Sequence, residues 1–578
     1  MNKLNKTFKI NPLYEADGYK IGHHRMLAKG TNKLYGTWIS RSLKYMPGGI
    51  DEIMSAGQQL IVRYLHSTFA ENFFFSDIRI EKEHPMTNYY RLKSKALKFV
   101  EDMSAYLGIE YDGKHFEDLW DLGYLPIRIK ALPEGMFTKP NIPHMTFVNT
   151  VDGYAWLTLF LETYISKLAW QMPTTATIAH KFRQNANEWV AKTDPANMWL
   201  TDFICHDFHS RGGNPFTSIA AGLGHALTNK GSDTLNVIPA SRYYYDEAED
   251  SMPVFSVNAS EHSVSCTQLF YYEDQLRQGF LNDKIAEYYA FDLPADGSVS
   301  EPDYLTIAEW LMISDWLDRF PKGILSIVND TMNTWKHITH VLARLKAKIL
   351  AREGKVTTRP DSGDPVDIIC GTYRGSSYVK LENRDSWTPE EKGVIELLWE
   401  IFGGTVNEQG YKVLDPHIGA IYGDSINLER QVQIYQRLEA KGFASTNIVL
   451  GVGSFTYVML TRDSAGYAAK GAWFEVLDKN QHDETGGYGY NYEKKAYNIY
   501  KDPVTDDTKS KKSLKGLIQV FETKKTSDET GITYTKIEVK QECSWEEESQ
   551  GLLQVIYEDG NFHNQTTLEE IRKRIFKH

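Results

Sequence analysis

Between residues 200 and 455, cations and carboxylates recur at the ends of short apolar runs. Arg211 follows DFICHDFHS, Asp233 lies in KGSDT, His262 in SEHS, and Asp330 closes SIVND. Arg359 and Asp361 share RPDSGDP, Asp424 lies in YGDS, and Arg462 follows in TRD. Singly, such residues are mostly solvated. Gathered at one mouth, the arginines would offer planar forks matched to phosphate or pyrophosphate. The carboxylates would suit Mg²⁺ held beside those phosphates with several of its waters. RPDSGDP is the most constrained segment, because Pro360 and Pro365 both fix φ. A plain turn needs Pro, Asp, Ser and Gly but no arginine. These residue types point to an enzyme acting on a phosphorylated small molecule.

Something must bring these residues together. The runs DFICHDFHSRGG, SDTLNVIPASR, VFSVNASEHS, ILSIVNDT, KVTTRPDSGDP, IGAIYGDSIN and NIVLGVGSF alternate with helical patterns. Thr388-Pro389-Glu390-Glu391 opens a helix carrying Val394, Leu397, Leu398, Ile401 and Phe402, closed by Gly403. Leu428, Val432, Tyr435 and Leu438 mark a second amphipathic helix that ends at Gly442. Buried strands alternating with helices imply parallel pairing. A closed α/β barrel is the preferred architecture, with an open doubly wound sheet as the alternative; both gather chemistry at the strand carboxyl ends. Residues 1–190 and 466–578 have a different texture, with isolated extended runs such as Leu34–Ile39. The organisation expected is a barrel-like domain over 191–465 flanked by a mixed α/β domain built from both chain ends. DKNQHDETGGYGYNYEKK reads as an exposed loop, and Thr566–Glu569 as a capping box before LEEIRKRIF.

Composition removes several classes. A net charge of −12 argues against broad nucleic-acid binding. No apolar stretch approaches the roughly 18 residues of a membrane span, and no signal-peptide core is visible. Cys205, Cys266, Cys370 and Cys543 are scattered without a CxxC pair, which favours reduced thiols and a cytoplasmic setting. The phosphate loop GxxxxGK[ST], HExxH, GxSxG and a dinucleotide GxGxxG are all absent.

HDFHSRG, KGSDT, SEHS, RPDSGDP, YGDS, TRDSAGYAAKG and YKDPVTDDTKSKK, with DGYKIGHH and SRS nearer the start, occur in one order. In that order and setting the chain resembles the nicotinamide phosphoribosyltransferases, from about Tyr14 to Phe576, with local insertions near 273–300 and 479–493. The resemblance implies the type II phosphoribosyltransferase fold, an irregular α/β barrel with an associated mixed domain, and a homodimer with shared active sites. It implies a pentosyltransferase of NAD salvage, joining nicotinamide to 5-phosphoribosyl 1-diphosphate and stimulated by ATP in the presence of Mg²⁺. Nicotinate phosphoribosyltransferase, and a non-catalytic binding protein on the same scaffold, are the alternatives.

By the same resemblance, Phe208 stacks on the pyridine ring with Tyr19 of the partner subunit opposite, and Asp233 accepts from the carboxamide. A carboxylate there admits the amide and repels nicotinate, favouring the amide substrate. Arg211, His262 and Arg359 face the diphosphate and ribose-phosphate. Asp330 and Asp361 face the cationic character that grows on the ribose. Gly423, Asp424, Ser454 and Arg462 meet the ribose and 5′-phosphate side, and Arg41, Lys470 and Lys501 are partner-supplied cations. His262 doubles as the histidine phosphorylated by ATP, with Glu261 as the candidate to orient its ring; the metal ligands are left unassigned. Two departures bear on the phosphate loops: Ser454 replaces a glycine of the family's GSGGG, and Ser425 the second glycine of GDG.

Overall fold

A computed structural model describes residues 9–75, 85–291, 301–372, 386–479, 492–505, 512–526 and 533–576. The insertion near 479–493 and the exposed loop read from DKNQHDETGGYGYNYEKK lie largely outside these residues, as do 292–300 of the other insertion. The described chain forms two compact units. One comprises 178–238 and 252–459; the other comprises 1–177, 239–251 and 460–578.

The first unit is built on seven short parallel strands: β1 Cys205–Asp207, β2 Gly231–Ser232, β3 Asn258–Ala259, β4 Leu325–Val328, β5 Val356–Arg359, β6 Ile418–Tyr422 and β7 Ile448–Val452. Neighbours in the sheet are neighbours in the chain, and β7 returns to pair with β1, setting Leu450 opposite Cys205 and Val452 opposite Asp207. The remaining gap, between β2 and β3, is bridged by Phe255, whose N–H donates to Lys230 O (2.7 Å) and whose carbonyl accepts from Ser232 N–H (2.9 Å). The strands therefore close into a barrel, and the open-sheet alternative is set aside. Helices such as His262–Arg277, Tyr304–Arg319 and Leu428–Ala440 lie between strands, as crossovers between parallel strands require.

Strand alternation explains why this barrel is hollow. Buried Leu325, Ile327, Val356, Ile448, Leu450 and Val452 do not line the interior. Each such buried aliphatic contributes about 1.5–3 kcal/mol. The positions lining the interior include Gly231, Ala259, Ser326, Thr357 and Gly419, which are too small to fill it. Barrels of this kind normally pack layers of Val, Ile and Leu there; here a cavity of about 490 Å³ remains.

Asp207 ties two strand ends together. Fully buried, it accepts from His209 N (3.0 Å), His209 Nδ1 (2.6 Å) and Ser232 Oγ (3.0 Å), while its carbonyl accepts from Asp233 N (3.0 Å). Burial alone would raise its pKa, but the His209 charge and hydrogen bonds outweigh this and hold it far below the usual carboxylate range.

The second unit centres on a seven-stranded sheet drawn from both chain ends. Its order is 492–498, 468–479, 31–39, 143–149, 127–131, 554–558, 561–562. Thr31–Ile39 pairs antiparallel with both Ala468–Lys479 and Pro143–Asn149. Tyr35, Leu132, Trp473, Ile518 and Val520 share one of its buried clusters. No helix among the described residues is long and apolar enough to cross a membrane.

Some local expectations shift. The helix from Thr388 is two helices, Pro389–Lys392 and Val394–Phe402, interrupted at Gly393 with φ +77°. A Cβ at Gly393 would stand 2.2 Å from Gly371 N, so close backbone approach dictates the break. SDTLNVIPASR supplies only the end of a two-residue strand before its apolar part enters the helix Val237–Tyr245. The C-terminal capping box is one residue later, with Thr567 and Glu570 bonded reciprocally, because Thr566 N instead donates to Gln59 Oε1 (2.9 Å).

Asp207→Ala strands three buried donors and should cost about 3–5 kcal/mol of unfolding free energy, against about 1 for Ser232→Ala. Chemical denaturation of the two variants measures the difference.

Candidate functional site

Every barrel strand delivers an expected residue at its carboxyl end: Phe208 and Arg211 after β1, Asp233 after β2, His262 after β3 and Asp330 after β4. Arg359 and Asp361 come at the end of β5, Gly423 and Asp424 after β6, and Ser454 after β7. In the barrel unit these ten predicted positions converge on one rim.

Phe208, Asp233 and Arg359 line the hollow interior near that rim. Phe208 is seated against Gly451, where a Cβ would come within 2.7 Å of its ring. Asp233 accepts at Oδ1 from His206 Nε2 (2.9 Å) and from Ser256 Oγ. Burial works to raise the Asp233 pKa, but His206, then Ser256 and Arg359, bring it below the ordinary value. The carboxyl is ionised at neutral pH.

Arg359 donates from Nη2 to the Ser260 carbonyl. Burial lowers its pKa against the pull of Asp361, Asp233 and Asp330, yet guanidinium stays charged. Asp361 moves the other way: burial first, then the Asp330 charge, raise its pKa, with Arg359 opposing and Asp424 adding to the rise. His262 faces both carboxylates, its Nε2 lying 3.6 Å from Asp330 Oδ1 and 4.0 Å from Asp361 Oδ2. Thr331 Oγ1, 3.1 Å from Nδ1, orients the imidazole. Glu261, the expected orienting residue, faces Arg211 at 3.7 Å instead.

RPDSGDP divides in two. Tyr422 OH donates to Gly363 O (2.8 Å), and Gly363 takes φ +92°, so RPDSG forms a pinned loop. Asp364 then caps the helix Pro365–Cys370 through Val366 N (2.9 Å) and Asp367 N (3.2 Å). The second proline thus starts a helix. Gly423 lets this loop close down, since a Cβ there would meet Asp361 Oδ1 at 2.5 Å.

The serine departures are accommodated. Ser454 packs against Gly212, where a Cβ would stand 2.2 Å from Ser454 Cβ. Ser425 adopts the left-handed φ of +52° that a glycine would take without strain.

Tyr19, Arg41, Arg462, Lys470 and Lys501 belong to the other unit. There Arg41, Lys470 and Lys501 share a cleft of about 230 Å³ with Lys512. Arg41 Nε donates to Gly466 O (3.1 Å), and Lys470 Nζ to Glu162 Oε1 (2.9 Å). Tyr19 is exposed, its ring 5.4 Å from His23. Arg462 pairs with Asp463 at 3.1 Å. Sequence reading missed His206, Ser256 and Thr331. His206 carried a signal, since it lies two residues before Phe208 on a strand and so shares its face.

Residues 203–542 match the model of the nicotinate phosphoribosyltransferase (NAPRTase) family. A protein of Acinetobacter baylyi named nicotinamide phosphoribosyltransferase is 35% identical over 580 residues, covering 98% of each chain. A Mycoplasma pneumoniae protein of the same name is 28% identical, covering 89% of this chain and 97% of its own. The crystal structure of human nicotinic acid phosphoribosyltransferase superposes with a TM-score of 0.50 at 15% identity, covering 97% of this chain and 92% of that one, a likeness of fold.

Gly451→Ala drives a methyl into the Phe208 ring and should cost about 1–3 kcal/mol of stability. Gly453→Ala, whose Cβ meets nothing within 4 Å, is the control. Unfolding midpoints of the pair test whether the Phe208 seat is as tight as described.

Proposed function

We propose a reaction for this chain, which belongs to the nicotinate phosphoribosyltransferase family: transfer of the phosphoribosyl group of 5-phosphoribosyl 1-diphosphate to nicotinamide. The products are nicotinamide mononucleotide and diphosphate, which places the enzyme in NAD salvage. The observation that carries the amide reading is the ionised Asp233 at the cavity wall beside Phe208. A carboxylate accepts from a carboxamide N–H but meets a nicotinate carboxylate with like charge.

Phe208 stacks on one face of the pyridine, with Tyr19 of the partner subunit on the other in a homodimer. The pyridine nitrogen attacks the anomeric carbon; the carbon–nitrogen bond forms as the carbon–oxygen bond to diphosphate breaks. Asp330 and Asp361 face the cationic character that develops on the ribose, and Arg211 and Arg359 hold the departing phosphates. Gly423, Asp424 and Ser454 receive the ribose 5′-phosphate side. The cleft of Arg41, Lys470 and Lys501 supplies phosphate-binding cations from the partner subunit.

Mg²⁺ fits this carboxylate set. Among the described residues no three His, Cys, Asp or Glu side chains hold a metal unaided, and Mg²⁺ typically takes one or two carboxylates plus phosphates and water. Asp330 Oδ1, buried without a hydrogen-bond partner, offers its lone pairs as a metal ligand. Asp330, Asp361 and Asp424 are the residues that would hold the ion, and when bound it would supply positive charge to the leaving diphosphate. ATP couples through His262, whose Nε2 would take the γ-phosphoryl group of ATP as the bond to the β-phosphate oxygen breaks and ADP leaves. The four cysteines are all unpaired, in keeping with a cytoplasmic enzyme.

A product assay with nicotinamide, 5-phosphoribosyl 1-diphosphate and Mg²⁺ should yield the mononucleotide, and no product would refute the reading. Asp233→Asn should shrink the nicotinamide-over-nicotinate ratio of kcat/KM about tenfold or more. His262→Ala should remove stimulation by ATP while some basal transfer persists; a full ATP effect in that variant rejects the phosphohistidine. Asp361 must be ionised to act, and its raised pKa means protonation begins at higher pH than for an ordinary aspartate. The acid limb of kcat/KM should therefore lie above the usual aspartate range.

A further inference from the structure

We propose that His206 is a positioning residue that sets the amide preference of this site, an inference that rests on the nicotinamide reading above. His206 on β1 and Phe208 just after it both line the cavity, while Asp207 between them is buried away from it. The His206 ring lies 4.7 Å from that of Phe208, tilted 41°, and its Nε2 is 2.9 Å from Asp233 Oδ1. An ionised carboxylate only accepts, so Nε2 carries the proton and donates.

The Ser256 hydroxyl donates to the same oxygen, and Asp233 N is fixed by the Asp207 carbonyl at 3.0 Å. With Oδ1 engaged twice, Oδ2 is the oxygen left to meet a carboxamide N–H. Rotating the carboxylate would break both bonds. The imidazole is itself confined: a Cβ at Gly231, its partner across the β1–β2 pair, would approach His206 Nδ1 to 2.8 Å. Only glycine admits the ring there.

His206 thus holds Asp233 with one oxygen free and its charge intact, the arrangement that accepts an amide N–H and repels an acid.

The test measures kcat/KM for nicotinamide and nicotinate with the full-length enzyme at neutral pH. His206→Ala and His206→Gln are compared with wild type. His206→Ala should lose about tenfold of the nicotinamide-over-nicotinate ratio, through the nicotinamide KM more than kcat. His206→Gln, with an amide nitrogen able to replace Nε2, should recover the ratio. A His206→Ala enzyme that keeps the wild-type ratio, or a His206→Gln enzyme that fails to recover it, overturns this inference alone. A wild-type enzyme that does not turn over nicotinamide overturns the functional reading and this inference with it.

Discussion

A carboxylate shut away from water must find every donor inside the protein. Asp207 finds its donors on two loops at once, taking both bonds of His209 and the hydroxyl of Ser232, while its carbonyl holds the Asp233 amide. Phe208 and Asp233, which belong to those two loops, are thus fixed relative to each other by one buried charge. Flexible surface pairing could not do this: an exposed ion pair contributes at most about 1 kcal/mol and holds no geometry. The cavity wall that carries Phe208 and Asp233 depends on electrostatics hidden behind it, and those two side chains need not stabilise their own positions.

The same barrel gives up packing to make room. Interior positions that could carry Val or Leu carry Gly231, Ala259, Ser326 and Gly419, and the volume they leave becomes the cavity. At the rim, glycines serve approach instead of vacancy: Gly423 admits Asp361, Gly451 admits Phe208, and Gly212 admits Ser454. The outward faces compensate through aliphatic burial against the helices. Stability and reactivity are assigned to opposite faces of the same strands.

Much of this was legible in the sequence. Fully buried parallel strands read as apolar runs whose polar ends mark the carboxyl rim, so β4 to β7 and the residues after them were located without coordinates. β2 was less visible, because two residues, Gly231 and Ser232, carry no hydrophobic signal and the apolar stretch beside them prefers a helix. The break at Gly393 depends on backbone contact with Gly371, which periodicity along one helix cannot report. His206 was overlooked although its motif was read, since a histidine's partner across a sheet is a tertiary fact. The rim assembled by the barrel unit was inferable; the hydrogen bonds that tune it were not.

The two units make opposite demands on a growing chain. Most barrel strands pair with a neighbour in the chain, so their pairing can follow synthesis as residues emerge, and only the return of β7 to β1 must wait for the end of the unit. The sheet of the other unit pairs Thr31–Ile39 with Ala468–Lys479, and its first strand must wait for a partner made more than four hundred residues later. Until then an edge with unpaired N–H and C=O groups stands open. A truncation near residue 460 would leave that edge permanently without its mate.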